Sequence, residues 1–269
     1  MIKRTLYFGN PAYLSTQLEQ LRIKRIEEKE THQIPIEDIG IVIIDHSQIT
    51  VTQSLIAKLL ENNVALISCN KTHHPTGMML NLDGHTKQSK LFKHQLEANK
   101  PLKKGLWQIT IKQKIKNQAA LLKRIKQENN YLLTLEKEVK SGDSTNCEAK
   151  AAGFYWKKYF DGLNAGVITR ERFGAPPNNL LNYGYAILRA IIARNLVGSG
   201  LLPTLGIYHR NQYNAYCLAD DIMEPYRPFV DACVLDIVKS EALIAELTPE
   251  IKRRILRIPV IDVKIENKI

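Results

Sequence analysis

Over about the first eighty residues, apolar positions recur at every second residue or in short β-branched runs, the spacing of strands. Residues 5–8 form a short aromatic strand, and Gly9, Asn10 and Pro11 turn the chain. Residues 13–25 alternate in part through Leu14, Leu18, Leu21 and Ile23. Within 34–45, the run 39–44 (IGIVII) predicts a strand buried on both faces. Spacing then becomes helical over 52–61 through Leu55, Ile56, Leu59 and Leu60, with Asn62 and Asn63 as the stop and a strand again at 64–68. Beyond 82–84 the period of three to four dominates. It predicts a helix over 87–98, then Pro101 and Gly105 as separators, then a long helix over 106–140. Trp107, Ile111, Ile115, Ala119, Leu122 and Ile125 are its buried stripe, and lysines including Lys112, Lys114 and Lys116 its outer face. After a polar break at 141–146, a helix over 147–160 brings alanines for close helix approach. Its Tyr155, Trp156, Tyr159 and Phe160 add bulk to a core. A loop with two prolines at 172–182 leads, with Asn178 or Asn179 as cap, into an amphipathic helix over 183–196 that Gly198 and Gly200 end. The chain then passes His209, continues as helix to about 240, and starts a last helix at Thr248, Pro249 and Glu250, before a short polar tail after Pro259. The pattern predicts an α+β protein: a small β-rich domain over 1–83, serving dimerisation and packing, and a larger all-α domain over 84–269 carrying any chemistry.

Composition narrows the partners. Hydrophobic residues at 44% and charged residues at 24% are ordinary for a soluble globular chain, but 38 Lys+Arg against 27 Asp+Glu leave a net charge of +11. Such a balance points to a polyanion, nucleic acid before an acidic membrane surface. The lysine-rich helical face is either solvated or a phosphate-binding surface with sequence-independent, salt-dependent affinity. Four cysteines without a CxxC pair, no apolar leader and no membrane-length apolar run predict a reduced, cytoplasmic protein. Cys69, His73 and His74 before Pro75 read as a turn rather than a metal site.

Candidate chemistry gathers in residues 209–231, where His209 precedes Asp220, Asp221 and Glu224 in an otherwise apolar stretch. In a helix, Asp221 and Glu224 lie one turn apart on one face, opposite Leu218, Ile222, Phe229, Cys233 and Ile237. A cleft-facing carboxylate pair needs neutralising, and oxygen ligands with one imidazole suit Mg²⁺ or Mn²⁺ better than Zn²⁺. The bland alternative is a set of acids at a helix N-terminus. Glu148 carries a competing local role: Thr145-x-x-Glu148 has the form of a capping box, with the glutamate folded back onto the Thr145 amide.

Four stretches together resemble one family. EAKAAGFYW around Glu148, NNLLNYGYAILRA, GLLPTLGIYHRNQYNAYCLADDIMEPYRPFVD and KKGLWQITIKQKIKNQA are similar to the CRISPR-associated integrase of spacer acquisition ("Cas one"), type II branch, with a lean to subtype C. The four motifs fall in the family's order over nearly the whole chain; Ala149 replaces a glycine the family commonly has. The resemblance implies a metal-dependent DNA integrase/endonuclease of CRISPR adaptation, which inserts short fragments into the CRISPR array by 3′-hydroxyl attack on a phosphodiester. It implies metal ligands at Glu148, His209 and Glu224 for Mg²⁺ or Mn²⁺. Asp221 is a further acid that orients the site or binds a second ion. Implied partners are double-stranded DNA (spacer precursor and CRISPR repeat), a second copy of the chain, the "Cas two" subunit in a heterohexamer and the type II effector nuclease. The alternatives are a general structure-specific nuclease and a non-catalytic basic DNA-binding scaffold.

Overall fold

The computed structural model describes residues 3–25, 31–163, 168–171, 174, 176–240 and 247–261. Positions 172, 173 and 175 of the proline loop and the tail from 262 onward lie outside the described residues. Among the described residues eight strands come first: β1 (Arg4–Phe8), β2 (Ala12–Gln17), β3 (Gln20–Arg25), β4 (Thr31–Pro35), β5 (Ile39–Ile44), β6 (Ile49–Val51), β7 (Ala65–Cys69) and β8 (Pro75–Met79), with helix α1 (Gln53–Glu61) ahead of β7. They form two four-stranded sheets, in the orders β1-β5-β7-β8 and β4-β3-β2-β6. The first sheet is parallel except for β8, which returns antiparallel beside β7.

Period-two alternation explains why the first sheet is apolar on both faces. Val42 and Leu66 pack with Leu14, Leu21, Leu55 and Leu59 between the sheets and α1. Their neighbours Ile41, Ile43, Ala65 and Ile67 face the helical part of the chain and join the larger core. The expected two-sided burial of 39–44 is therefore met, because one core covers each face of β5. The single alternating stretch expected at 13–25 is instead a hairpin: Leu18 and Glu19 both take positive φ, 49° and 58°, and reverse the chain between β2 and β3. Strands β4, β6 and β8 carry no alternation strong enough to mark them. Cys69, His73 and His74 do form a turn, between β7 and β8, in which His73 Nδ1 meets Asp45 Oδ1 at 2.8 Å.

The helices are α2 (Gln88–Glu97), α3 (Lys100–Arg124), α4 (Asn130–Glu138), α5 (Cys147–Asp161), α6 (Asn178–Gly198), α7 (Cys217–Met223), α8 (Arg227–Ser240) and α9 (Pro249–Ile255), with a 3-10 turn, Glu224–Tyr226, joining α7 to α8. The fold class is α+β, strand-rich first and helical after. The long helix differs from its expected span. Pro101 does not separate helices but opens α3, since a proline in the first turn sacrifices no internal hydrogen bond; Asn99 caps it through Leu102 N at 2.9 Å. The break falls later, where Lys126 takes φ 58° and α4 begins afresh. Trp107, Ile111, Ile115, Ala119 and Leu122 are buried as the spacing predicts, but Lys114 is not on the outer face: it is only 9% exposed. Asn178 is not a cap either, being fully buried and bonded to Thr169 O, while Asn179 accepts the Leu180 amide. Of the alanines expected to allow close helix approach, Ala151 is fully buried, and a further close approach occurs at Gly184 of α6, where an added Cβ would lie 2.5 Å from Val230 of α8. Among the described residues no helix is long and apolar enough to cross a membrane.

Candidate metal centre

Glu148 stands in the first turn of α5, yet it does not fold back as a cap. Asn146 takes a left-handed φ of 53° and makes no side-chain cap, and Thr145 Oγ1 bonds Glu138 O at 3.4 Å and Cys147 Sγ at 3.2 Å. Asp143 supplies the cap, accepting the amides of Cys147 (Oδ1) and Glu148 (Oδ2), each at 2.9 Å. A carboxylate at this end also opposes the positive helix terminus. The expected capping box is thus absent: Asp143 holds the Glu148 amide that Thr145 would cap, and the Glu148 side chain goes to Lys114 and not back to the Thr145 amide. The Glu148 side chain is free to reach α3.

There it meets Lys114, whose Nζ donates to Glu148 Oε1 at 2.7 Å. The same ammonium lies 2.6 Å from Glu224 Oε2. Glu224, 4% exposed, comes from the 3-10 turn after α7, so two carboxylates from distant parts of the chain converge on one positive atom. Arg227 Nε holds the other oxygen, Glu224 Oε1, at 2.7 Å. Burial alone would raise the Glu224 pKa, but the charges of Arg227 and Lys114 outweigh it and hold the carboxyl down at about 2. Lys114 is likewise opposed by burial, but Glu224 and Glu148 outweigh it and raise its pKa. Glu224 Oε2 is buried, with the Lys114 ammonium 2.6 Å away. A buried carboxylate oxygen beside a second carboxylate fits a hard divalent cation.

His209 is positioned separately. Asp221, fully buried in α7, accepts Ile207 N at 2.6 Å and Tyr208 N at 2.9 Å through Oδ2, and His209 N at 3.2 Å through Oδ1. His209 Nδ1 lies 2.5 Å from the same Oδ1. An ionised carboxylate only accepts, so Nδ1 carries the proton and Nε2 is left for another partner. The loop closes this tightly because residue 206 is glycine: a Cβ there would come 2.3 Å from His209 O. Trp107 stacks on Tyr208 at 4.3 Å and meets the imidazole edge-on at 5.8 Å. The His209 pKa is raised, first by its hydrogen bond to Asp221, against desolvation, with Glu224 and Asp220 adding charge.

The structure therefore pairs Glu148 with Glu224 and His209 with Asp221. Among the described residues no group of three or more His, Cys, Asp or Glu closes around a metal-sized space. The spacing on α3 accounts for this: Trp107, beside His209, precedes Lys114 by two helical turns, about 10 Å. Asp221 and Glu224 do not act as a pair, since the helix ends between them and each has its own partners. Asp220 points elsewhere, to Arg189 Nε at 2.6 Å and Asn214 Nδ2 at 2.7 Å. Of the expected apolar face, Leu218 and Ile237 are buried, whereas Ile222, Phe229 and Cys233 are only partly so, and Met223, Val230 and Val234 take their place.

Beside Glu224 opens a cavity of about 320 Å³ lined by Lys114, Gln118, Arg170, Arg227 and Asp231 among others. Arg170 and Arg227 lie over the Tyr185 ring at 5.5 and 4.6 Å. Lys114, Arg227, Arg170 and Asp143 escape sequence reasoning. For Lys114 a signal exists, because it and Gln118 fall on the apolar stripe between Ile111 and Leu122.

With this geometry established, comparison with known proteins places the chain. It is 38% identical to a CRISPR-associated endonuclease Cas1 from Neisseria meningitidis serogroup C, over 100% of this chain and 86% of that relative. A casposase bound to integration product superposes with a TM-score of 0.77 at 23% identity, over 97% of this chain and 82% of that one. A Cas6-RT-Cas1–Cas2 complex gives a TM-score of 0.75 at 23% identity, over 96% of this chain and 32% of that one. At such identities the two structures speak for the shared fold. Residues 6–250 match the family described as CRISPR associated protein Cas1, and the chain belongs to that family.

Proposed function

We propose that this Cas1 protein is a Mg²⁺- or Mn²⁺-dependent DNA integrase and endonuclease of CRISPR adaptation, joining the 3′-hydroxyl of a short fragment to a phosphodiester of the CRISPR repeat. Membership of the family and the full-length endonuclease relative support the reaction class. The observation that carries the metal reading is the meeting of Glu148 and Glu224 at one cationic point beside an arginine-lined cavity. Glu148 and Glu224 would hold the cation through carboxylate oxygen, and His209, which stands apart from them beside Asp221, would be its imidazole ligand through Nε2. The bound cation supplies Lewis-acid polarisation of a phosphoryl oxygen. Arg227 keeps the Glu224 carboxylate ionised and oriented, and Asp221 fixes the imidazole tautomer. Arg170 and Arg227 offer guanidinium donors to a phosphate entering the cavity. Exposed lysines on α2 and α3, such as Lys90, Lys93 and Lys116, bind duplex phosphates without reading sequence.

The partners belong to the same reading: double-stranded DNA, a second copy of the chain through residues 1–83, a Cas2 subunit in a heterohexamer, and the type II effector nuclease. A structural neighbour assembles with Cas2, which supports that part.

Glu148→Gln and Glu224→Gln test the site. Strand transfer into repeat-bearing duplex falls about 100-fold or more, as expected when several kcal/mol of charge stabilisation are lost. Duplex affinity stays within about threefold and keeps its dependence on salt. Full transfer by both variants, or by wild type in chelator, removes the metal site from the mechanism, whereas duplex binding by wild type with neither transfer nor cleavage in added Mg²⁺ or Mn²⁺ leaves a basic scaffold. Equal transfer into repeat-free DNA identifies a general nuclease.

A further inference from the structure

Lys114 is an unusual residue to find inside a cation site. It is the one buried lysine of α3, on a helix whose other lysines face outward. Its Nζ touches Glu148 Oε1 at 2.7 Å and Glu224 Oε2 at 2.6 Å. A divalent ion bridging the same two oxygens would have metal–oxygen distances near 2.1 Å for Mg²⁺ and would fall on the ammonium itself. The two cations cannot be bound together there, because they would overlap and repel.

We infer that Lys114 is the resident counter-ion of the two glutamates, and that a metal loads only by displacing its ammonium. The inference rests on the metal reading proposed above. Three features of the site support an exchange over a permanent ion pair. One ammonium touches both carboxylates, so a divalent ion taking its place leaves neither carboxylate without a cation. Arg227 remains on Oε1, so Glu224 is held while its other oxygen changes partner. The cavity of about 320 Å³ has Lys114 in its wall and opens beside Glu224, so a flexible four-carbon stem can move the ammonium there without moving α3. In that cavity the released charge joins Arg170 and Arg227 and adds a donor for a phosphate oxygen. Without metal, Lys114 keeps two close carboxylates from being buried uncompensated; with metal, the same role passes to the ion.

The test is Mn²⁺ binding, measured by calorimetry and by electron paramagnetic resonance, with no DNA present. Lys114→Met removes the competitor while keeping the stem, and binds Mn²⁺ about tenfold more tightly than wild type or better. It also melts lower without metal and gains more in Tm when Mn²⁺ is added. Adding Glu148→Gln to the same variant abolishes the gain in affinity. Equal or weaker Mn²⁺ binding by Lys114→Met overturns the displacement while leaving the metal site standing. Absence of Mn²⁺ binding by wild type and variant alike overturns the metal reading beneath it. A measurement on wild type alone guards against misfolding of the variant. Reductive methylation read by mass spectrometry labels Lys114 far less than exposed Lys116 in metal-free protein, and saturating Mg²⁺ raises its labelling several-fold. Labelling that stays unchanged at saturating Mg²⁺ overturns the exchange.

Discussion

At Asp231 the environment changes the chemistry of a carboxylate. Its carboxylate, 1% exposed at the floor of the cavity, accepts the hydroxyls of Tyr155, at 2.7 Å, and Tyr185. Burial pushes its pKa from 3.8 up to about 6, against those hydroxyls and the charges of Arg227 and Arg170. The sign of the linkage comes from that order. Between pH 4 and 6 the folded chain retains a proton that the unfolded chain has lost, so stability falls as pH rises through this window. Asp231→Asn removes the effect. Relative to wild type, the variant gains on the order of 3 kcal/mol between pH 4 and 7 in urea unfolding. A constant difference across that range shows instead an Asp231 ionised throughout, carried by its hydroxyl donors.

At the scale of one element, α5 illustrates how an end is made and why it matters. Its first amides are satisfied by Asp143, which leaves the Glu148 side chain to face α3. Asp143→Ala therefore costs about 1–2 kcal/mol of stability, the range for losing a helix cap, and lowers strand transfer as well by loosening the turn that aims Glu148. Thr145→Ala, which a capping box would make equally costly, changes unfolding free energy by less than about 0.5 kcal/mol. Chemical denaturation of both variants separates the two caps; a larger loss from Thr145 would restore the box.

Across the whole molecule, the first sheet is the element on which the two larger cores are built, and a buried ion pair ties its end to α9. Lys252 of α9 lies 2.7 Å from Asp45 Oδ2, with Tyr7 OH donating to that same oxygen at 2.6 Å. Both charges are nearly inaccessible, at 2% and 1% side-chain exposure. Burial alone would raise the Asp45 pKa, but hydrogen bonds from Lys252, Tyr7 and His73 lower it. Lys252→Met leaves a buried carboxylate without its cation and destabilises the fold by roughly 3–5 kcal/mol in equilibrium unfolding. Changing Asp45 to Asn as well recovers part of that loss, because no unpaired charge is then buried. A loss below about 1 kcal/mol from Lys252→Met would mean that water reaches the pair.

Periodicity is a local property, and the elements it marks are readable along the chain: β5 buried on both faces, α1 behind Thr52, the Trp107 to Leu122 stripe of α3, and α9 behind Thr248. Motif wording likewise marks Glu148, His209, Asp221 and Glu224 as the residues to watch, and the change of period sets strands before helices. Interruptions are less legible, since a proline can open a helix as readily as separate two, and a hairpin turn of Leu18 and Glu19 lacks the glycine that usually announces one. Only the folded chain decides which charges share a space. That Lys114 turns inward to two glutamates, that Asp143 and not Thr145 caps α5, and that Lys252 reaches Asp45 are all set by packing between distant segments. Coulomb attraction and desolvation depend on distance and burial in space, and neither is a function of separation along the sequence.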